Sequence, residues 1–264
     1  MRGKPFVVFS RRRTGATLIS QMLQELSEFP GAELDPFIPS RQFGHITNTF
    51  YSTGVDQARS QTDSVLQQGY CFKHHYDRES YQFNLMLIDA VARNGYHVIH
   101  LERSDEASRI FSYIICEWLD VWNRENMEGL LEGPFPKYAQ KLDYFELKRI
   151  VRNQISYRRW FEDALISANV EQTFCSIESI FQCGFNGLDE LYRLCRAVGV
   201  EAQARQVGDI TFLDRLSAGE YGTRSLPSMH PEFAELRTTV DLIVAQTLAE
   251  QKAEEEKIAE TTSD

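Results

Sequence analysis

The stretch VVFSRRRTGATLIS, residues 7–20, decides the fold. Its start belongs to Pro5–Phe9, a short β-branched and aromatic run that is typical of a buried strand. Its end opens the segment Thr17–Glu28, in which the apolar residues recur at helical spacing. Three arginines and a glycine lie between the two, in SRRRTGAT. We therefore predict a strand, a loop and a helix in that order.

Loops of this kind often hold phosphate, because the free N–H groups of the first helical turn point into the loop and the helix dipole adds positive charge. The usual phosphate loop is G-x-x-x-x-G-K-[ST]. At the same spacing this chain has Ser10 for the first glycine and Ala16 for the lysine. The arginines at 11–13 could supply charge instead, as bidentate donors without a metal, which would favour a smaller anion or a sulfuryl group. The alternative is a basic turn on the surface of an ordinary α/β unit.

The composition of the chain excludes several classes of protein. Its 264 residues are 42% hydrophobic and 25% charged, as in a globular protein with a full core. A formal net charge of −10 argues against broad nucleic-acid binding, since phosphate backbones need a basic surface. Five scattered cysteines with no C-x-x-C pair indicate reduced thiols. No signal peptide and no apolar run of membrane-spanning length is visible, so we expect a cytoplasmic protein without a membrane span.

The order of strand and helix patterns along the chain predicts the fold class. Four short apolar runs predict strands, and they lie at Pro5–Phe9, Gly69–His74, Tyr96–Leu101 and Gln172–Ile177. Helical patterns alternate with them, which indicates a three-layer α/β/α fold with a central parallel sheet of about four to five strands. We expect a single domain over residues 1–248 and a charged tail over 249–264.

A second candidate motif follows the predicted strand YHVIHL, in LERSDEASRIFS. Arg103 comes at the carboxyl end of that strand, and Ser112 lies nine residues later on the next helix. Ligands of open α/β sheets bind at the carboxyl ends of the strands, so Arg103 would share a rim with the first loop. Together the two side chains could clamp a second phosphate. The alternative is an exposed arginine and a serine that faces solvent.

These two motifs together resemble the sulfotransferases that use 3′-phosphoadenosine 5′-phosphosulfate (PAPS). The family's first loop has the form R-[ST]-G-[ST]-T-L, which residues 13–18 match except that Ala16 replaces a hydroxyl residue. Its second motif is a strand, an arginine and a helix with a serine, which Arg103 and Ser112 match at a spacing one residue longer than the commonest; Ser108 is the fallback. GYCFKHHYD resembles a strand segment of the trehalose- and lipopolysaccharide-type bacterial branch, and Glu178 stands in the glutamate position of the family's Y-E-x-L segment.

The resemblance implies a P-loop-type fold and sulfuryl transfer from PAPS to a hydroxyl of a carbohydrate or small metabolite, with 3′,5′-ADP as product and no metal. The residues that would bind PAPS are Arg12, Arg13, Thr14, Gly15, Ala16, Thr17, Arg103, Ser112 and Arg224. The catalytic candidates are Glu33 as base, His75 as its rival and Lys73, which could reach the sulfuryl group. Asp35 and His45 are further candidates for the base.

The acceptor is expected to contact residues 36–60 and 124–143, and a homodimer is left open. Two other functions stay open. The first is a P-loop kinase or another NTP-dependent enzyme, against which stand Ala16 and the lack of a Walker B aspartate after the strand that ends in Glu102-Arg103. The second is a non-catalytic relative that keeps the nucleotide pocket.

Overall fold

The computed structural model describes residues 3–122, 143–181, 185–209, 211, 214 and 231–262. Arg224, with its loop, and residues 124–142 of the expected acceptor region therefore lie outside the described residues. The chain divides into two compact units. The first consists of Met1–Ser104 and Arg158–Glu220, and the second of Asp105–Tyr157 and Tyr221–Asp264.

The first unit contains a four-stranded parallel sheet. Its strands are β1 (Phe6–Ser10), β2 (Phe72–His75), β3 (His97–Glu102) and β4 (Gln172–Ser176), in the order β2-β1-β3-β4. Every residue of β1 and β3 is buried, because helices cover both faces of a parallel sheet; β1 is a nearly continuous apolar run, whereas β3 also buries His97, His100 and Glu102. The structure confirms the predicted α/β fold with a parallel sheet between helices.

The helices follow the predicted order, with differences at their ends. They are α1 (Ala16–Leu26), α2 (Gly44–Ser52), α3 (Val55–Leu66), α4 (Tyr81–Arg93), α5 (Glu106–Leu119), α6 (Tyr144–Ser167), α7 (Ile177–Ile180), α8 (Phe185–Ala197), α9 (Glu201–Val207) and α10 (Pro231–Thr262). Residues 43–53 have no clear sequence pattern, yet they form α2, whose residues Ile46 and Thr47 are buried. The last helix continues to Thr262, through most of the stretch 249–264 that the sequence assigns to a charged tail.

Each unit has its own apolar core. In the first unit, Ile19 and Leu23 of α1 pack with Leu191 and Leu194 of α8 in one cluster that includes Val8 of the sheet. The amphipathic spacing of α1 places these side chains on one stripe. In the second unit, α5, α6 and α10 form the core, with Ile110, Ile114, Val151, Phe233, Val240 and Ile243 among its buried residues.

A buried ion pair joins the carboxyl ends of the two central strands. Arg11 Nη2 donates to Glu102 Oε2 at 2.5 Å, and both side chains are at most 1% exposed. The other carboxylate oxygen accepts hydrogen bonds from the Tyr76 hydroxyl and from His100 Nε2, the latter at 3.0 Å. Burial acts to raise the pKa of Glu102, but the charge of Arg11 and the hydrogen bond of His100 hold it well below its usual range.

We predict that Glu102→Gln destabilises the protein by about 3 to 5 kcal/mol, because it removes a buried counter-charge of the Arg11 guanidinium. Urea unfolding at pH 7 measures the change. The matched control is Glu171→Gln, which removes the same charge from an exposed pair with Lys4 at 2.6 Å and should cost about 1 kcal/mol or less. Equal losses in the two variants would contradict the importance of the buried pair.

Candidate functional site

The site lies at the carboxyl ends of the strands, where the sheet has a topological switch point. The chain leaves β1 toward β2 on one side of the sheet and leaves β3 toward β4 on the other. In open α/β sheets, the crevice between two such strands is where ligands bind. The SRRRTGAT loop follows β1 and Arg103 follows β3, so both lie at this edge of the sheet, as the sequence predicts.

The loop after β1 has two residues with a left-handed backbone conformation before α1 begins. Arg13 has a φ of 66° and Gly15 a φ of 94°, and Thr14 N donates to Arg11 O at 3.3 Å. Gly15 is the N-cap of α1 and adopts this backbone without the strain that a Cβ would bring. No side chain caps α1 and its first turn has no acidic residue, so its positive dipole end is not neutralised locally.

Two side chains of the loop are buried. The Ala16 methyl belongs to the apolar core of the first unit and is 2% exposed, so this position cannot present a lysine or a hydroxyl to a ligand. Thr14 is also 2% exposed, and its Oγ1 has no hydrogen-bond partner among the described residues. An acceptor or donor on a ligand would remove the cost of leaving that hydroxyl unpaired.

The three arginines of the loop have different roles. Arg11 forms a buried ion pair with Glu102. Arg12 is tied to Asp77, the second residue after β2, because its backbone N donates to Asp77 Oδ1 at 3.0 Å and its Nε lies 3.4 Å from Oδ2. Arg13 is half-buried at the left-handed position of the loop. The run of like charges therefore fixes the loop to β2 and β3 through two of its members.

Lys73, the second residue of β2, brings an ammonium group to the first turn of α1. Its Nζ lies 3.1 Å from Thr17 Oγ1, 3.1 Å from His75 Nε2 and 3.1 Å from Asp35 Oδ2. An ammonium has three N–H donors, and each has one acceptor here. The side chain is 3% exposed. Thus the neighbouring strand provides the lysine that the loop lacks at Ala16.

Asp35 comes from the loop between α1 and α2. It has a φ of 50°, and its carboxylate also accepts a hydrogen bond from His75 N at 3.2 Å. The loop is anchored by Phe37, which is buried against Phe72, and by Gly44, where a Cβ would lie 2.3 Å from the carbonyl oxygen of Ile38. Glycine is needed there because the backbones approach so closely.

The pKa values of this cluster depend on burial and on mutual charge. Burial acts to raise the pKa of Asp35, but the positive charges of His75, when it is protonated, and of Lys73 lower it to about 2. Burial lowers the pKa of His75 to about 3, and Lys73 adds to the effect. Burial also lowers the pKa of Lys73, against the attraction of Asp35. At neutral pH, Asp35 is therefore a carboxylate and His75 a neutral imidazole.

A small cleft with an internal volume of about 10 Å³ adjoins Asp35 and His75. Its walls combine apolar, aromatic and charged side chains, among them Phe37, Ile38, Arg78 and Glu79. Phe37 and Ile38 belong to the 36–60 stretch that the sequence assigns to the acceptor. The cleft therefore has room for about one water molecule beside an ionised carboxylate.

The other candidate bases lie apart from this cluster of contacts. The Glu33 side chain is exposed, and its carboxylate accepts a hydrogen bond from Gln42 N at 3.2 Å, across the same loop. His45 is exposed on α2. Asp35, two residues after Glu33, is the carboxylate that contacts both Lys73 and His75.

The second predicted motif is divided between the two units. Arg103 belongs to the first unit, where its Nε lies 3.8 Å from Glu178 Oε1. Ser112 belongs to the second unit and is 1% exposed on α5. Ser108, the fallback, donates to the carboxylate of Asp105 and accepts from Arg237 Nη1 at 2.8 Å. Binding of a phosphate by Arg103 and Ser112 together stays a prediction.

Sequence reasoning did not assign three acidic side chains to the site. Glu102 and Asp77 hold the arginines of the loop, and Glu178 holds Arg103. Their sequence positions could have indicated these contacts, since each residue follows or ends a strand at the same edge of the sheet as the basic residues. Among the residues that the structure describes, no three His, Cys, Asp or Glu side chains are grouped to hold a metal ion. Within the same ranges, no helix is long and apolar enough to cross a bilayer.

No protein-family model, curated protein or solved structure matches this chain. The function is therefore argued from the geometry and chemistry of the site itself.

We predict that the protein loses stability as the pH falls from 7 to 5, in part because of His75. The folded pKa of His75 is about 3 and its ordinary value is 6.5, so between these values the unfolded chain binds a proton that the folded chain does not. The contribution of His75 between pH 7 and pH 5 is about 2 kcal/mol.

Urea unfolding of wild type and His75→Gln at the two pH values measures this contribution. The variant should lose less stability than wild type on acidification, whereas the control His45→Gln, at an exposed histidine, should follow wild type. An unchanged pH dependence in His75→Gln would show that the folded protein accommodates a protonated His75.

Proposed function

We propose that this protein is a sulfotransferase that moves the sulfuryl group of PAPS to a hydroxyl of a carbohydrate or small metabolite. The observation that carries the proposal is the position of the Lys73 ammonium, 3.1 Å from Thr17 Oγ1 in the first turn of α1. The loop has an alanine where the usual phosphate loop has a lysine, and Lys73 of β2 brings a cation beside it.

The loop offers donors for an anion on several sides. The backbone N–H groups at 15–17 lie at the uncapped end of α1, where the dipole favours negative charge. The unpaired Thr14 hydroxyl and the guanidinium of Arg13 lie in the same turn. We infer that these groups hold the 5′-phosphosulfate and that Arg103 binds the 3′-phosphate across the crevice.

Lys73 must exchange one of its three contacts to bind a ligand, because all three N–H groups have acceptors. A phosphosulfate oxygen has the same charge and acceptor chemistry as Asp35 Oδ2, so it can take the place of Asp35. Binding of the donor would then release the Asp35 carboxylate toward the cleft while Lys73 stays neutralised.

The released Asp35 is the base that we assign to the reaction. The acceptor oxygen attacks sulfur in line, the bond from sulfur to the bridging phosphate oxygen breaks, and Asp35 takes the proton of the acceptor hydroxyl. Lys73 and the loop amides stabilise the negative charge that develops on the leaving phosphate. His75 keeps Asp35 in position through its backbone N–H, and its neutral ring leaves the cleft without an extra positive charge.

The first test is a thermal-shift comparison of 3′,5′-ADP, ATP with Mg²⁺, and buffer. A ligand that binds only the folded state raises stability by mass action. We expect 3′,5′-ADP to raise the Tm without added metal. Lys73→Met should remove most of this rise, whereas the control Lys4→Met, at an exposed lysine whose partner is Glu171, should keep it.

The second test is transfer of label from ³⁵S-labelled PAPS to a panel of sugars and small alcohols. Asp35→Asn should still bind 3′,5′-ADP but should lose at least about a hundredfold in the transfer rate, the usual effect of removing a general base. A Tm rise with ATP and Mg²⁺ alone would overturn the proposal in favour of an NTP-dependent enzyme. Binding of 3′,5′-ADP without transfer to any acceptor would favour a non-catalytic nucleotide-binding protein.

A further inference from the structure

Four residues at the carboxyl ends of β3 and β4 form a compact polar group, which we call the β3–β4 edge cluster. Its members are Arg103, Ser104, Ser176 and Glu178, all of them in the first unit. The sequence singled out Arg103 as a phosphate ligand and Glu178 only as the glutamate of a segment that resembles the family's Y-E-x-L. In the cluster, these two residues form an ion pair.

The Glu178 carboxylate is held by the kinds of donor that bind phosphate. Its Oε2 accepts from Ser104 N at 2.8 Å and from Ser176 Oγ at 2.6 Å, and its Oε1 lies 3.8 Å from Arg103 Nε. A backbone N–H, a hydroxyl and a guanidinium are a common donor set for a phosphate group. The two serine hydroxyls lie 2.7 Å apart, and Ser104 donates in that pair because the proton of Ser176 is used for Glu178.

The cluster differs from the other acid–base pairs of the site in its access to solvent. The side chain of Glu178 is 29% exposed and that of Arg103 is 14% exposed. By contrast, Glu102 on Arg11 and Asp77 on Arg12 are at most 1% exposed. The Glu178 carboxylate is therefore more accessible to solvent than those of Glu102 and Asp77.

We propose that Glu178 occupies an anion subsite made by Arg103, Ser104 and Ser176, and that it competes with the ligand's phosphate for that subsite. The inference rests on the proposed function, in which that phosphate is the 3′-phosphate of the nucleotide. When the phosphate binds, it takes over the N–H of Ser104, the hydroxyl of Ser176 and the charge of Arg103. Glu178 thus sets the affinity of the site, and the hydroxyls of the subsite come from Ser104 and Ser176.

The experiment is isothermal titration calorimetry of wild type and Glu178→Gln with 3′,5′-ADP, 5′-AMP and inorganic phosphate. We expect Glu178→Gln to bind 3′,5′-ADP about two- to fivefold more tightly, because the competing charge is gone while the amide oxygen still accepts hydrogen bonds. Binding of 5′-AMP, which lacks the 3′-phosphate, should not change. The control Glu171→Gln removes the same charge at the amino end of β4 and should bind like wild type.

The outcomes separate this inference from the proposed function. Equal or weaker binding of 3′,5′-ADP by Glu178→Gln overturns the competition and leaves the proposed function standing. If no variant binds 3′,5′-ADP but Glu178→Gln binds inorganic phosphate more tightly than wild type, the competition stands and the proposed function is overturned. If Glu178→Gln improves neither ligand, the competition is overturned.

A second variant keeps the test valid if Glu178→Gln does not fold. Glu178→Asp retains the charge but withdraws the carboxylate by one methylene group from Arg103, which is already 3.8 Å away. Its affinity for 3′,5′-ADP should lie between those of wild type and Glu178→Gln. An affinity equal to or weaker than that of wild type, in a variant that melts cooperatively by circular dichroism, counts against the competition.

Discussion

The buried ion pair between Arg11 and Glu102 is the interaction on which the site depends. It joins the first residue after β1 to the last residue of β3, at the switch point of the sheet. Because Tyr76 also donates to Glu102, the segment after β2 is tied to the same carboxylate. Three strand ends are thus fixed by one charged group, and the loop that starts at Arg11 must leave the sheet at a defined angle. Breaking such a pair leaves a charge without a partner in the interior, which is costly.

The chemistry of the site follows from where the cations are placed. Ala16 faces the core, so the loop cannot carry its own lysine, and the register of β2 beside β1 brings Lys73 to Thr17 instead. Without a ligand, Lys73 is paired with Asp35, and Arg103 with Glu178. Each of these two cations is therefore neutralised by a carboxylate at the same edge of the sheet. In the function that we propose, an anionic ligand replaces these carboxylates and must match them in charge and acceptor geometry.

Sequence patterns predicted the sheet well because buried parallel strands are short apolar runs that few other structures produce. They predicted the loop after β1 for the same reason, since it is counted from a strand end, and they placed Lys73 within the second strand, where it is the second residue of β2. They favoured Glu33 over Asp35 as the base. The position of the Asp35 carboxylate depends on the left-handed backbone of Asp35 and on the packing of Phe37 in the loop, which sequence patterns do not show. They did not predict the fixed roles of Arg11 and Arg12, because pairing partners distant in the chain leave no local pattern.

A crystal structure of the protein with 3′,5′-ADP tests the central claim most directly. The account predicts the 5′-phosphate within hydrogen-bond distance of the amides at 15–17 and of Lys73 Nζ, with Asp35 Oδ2 moved off the ammonium. A nucleotide bound elsewhere, with the contact between Lys73 and Asp35 intact, would contradict it.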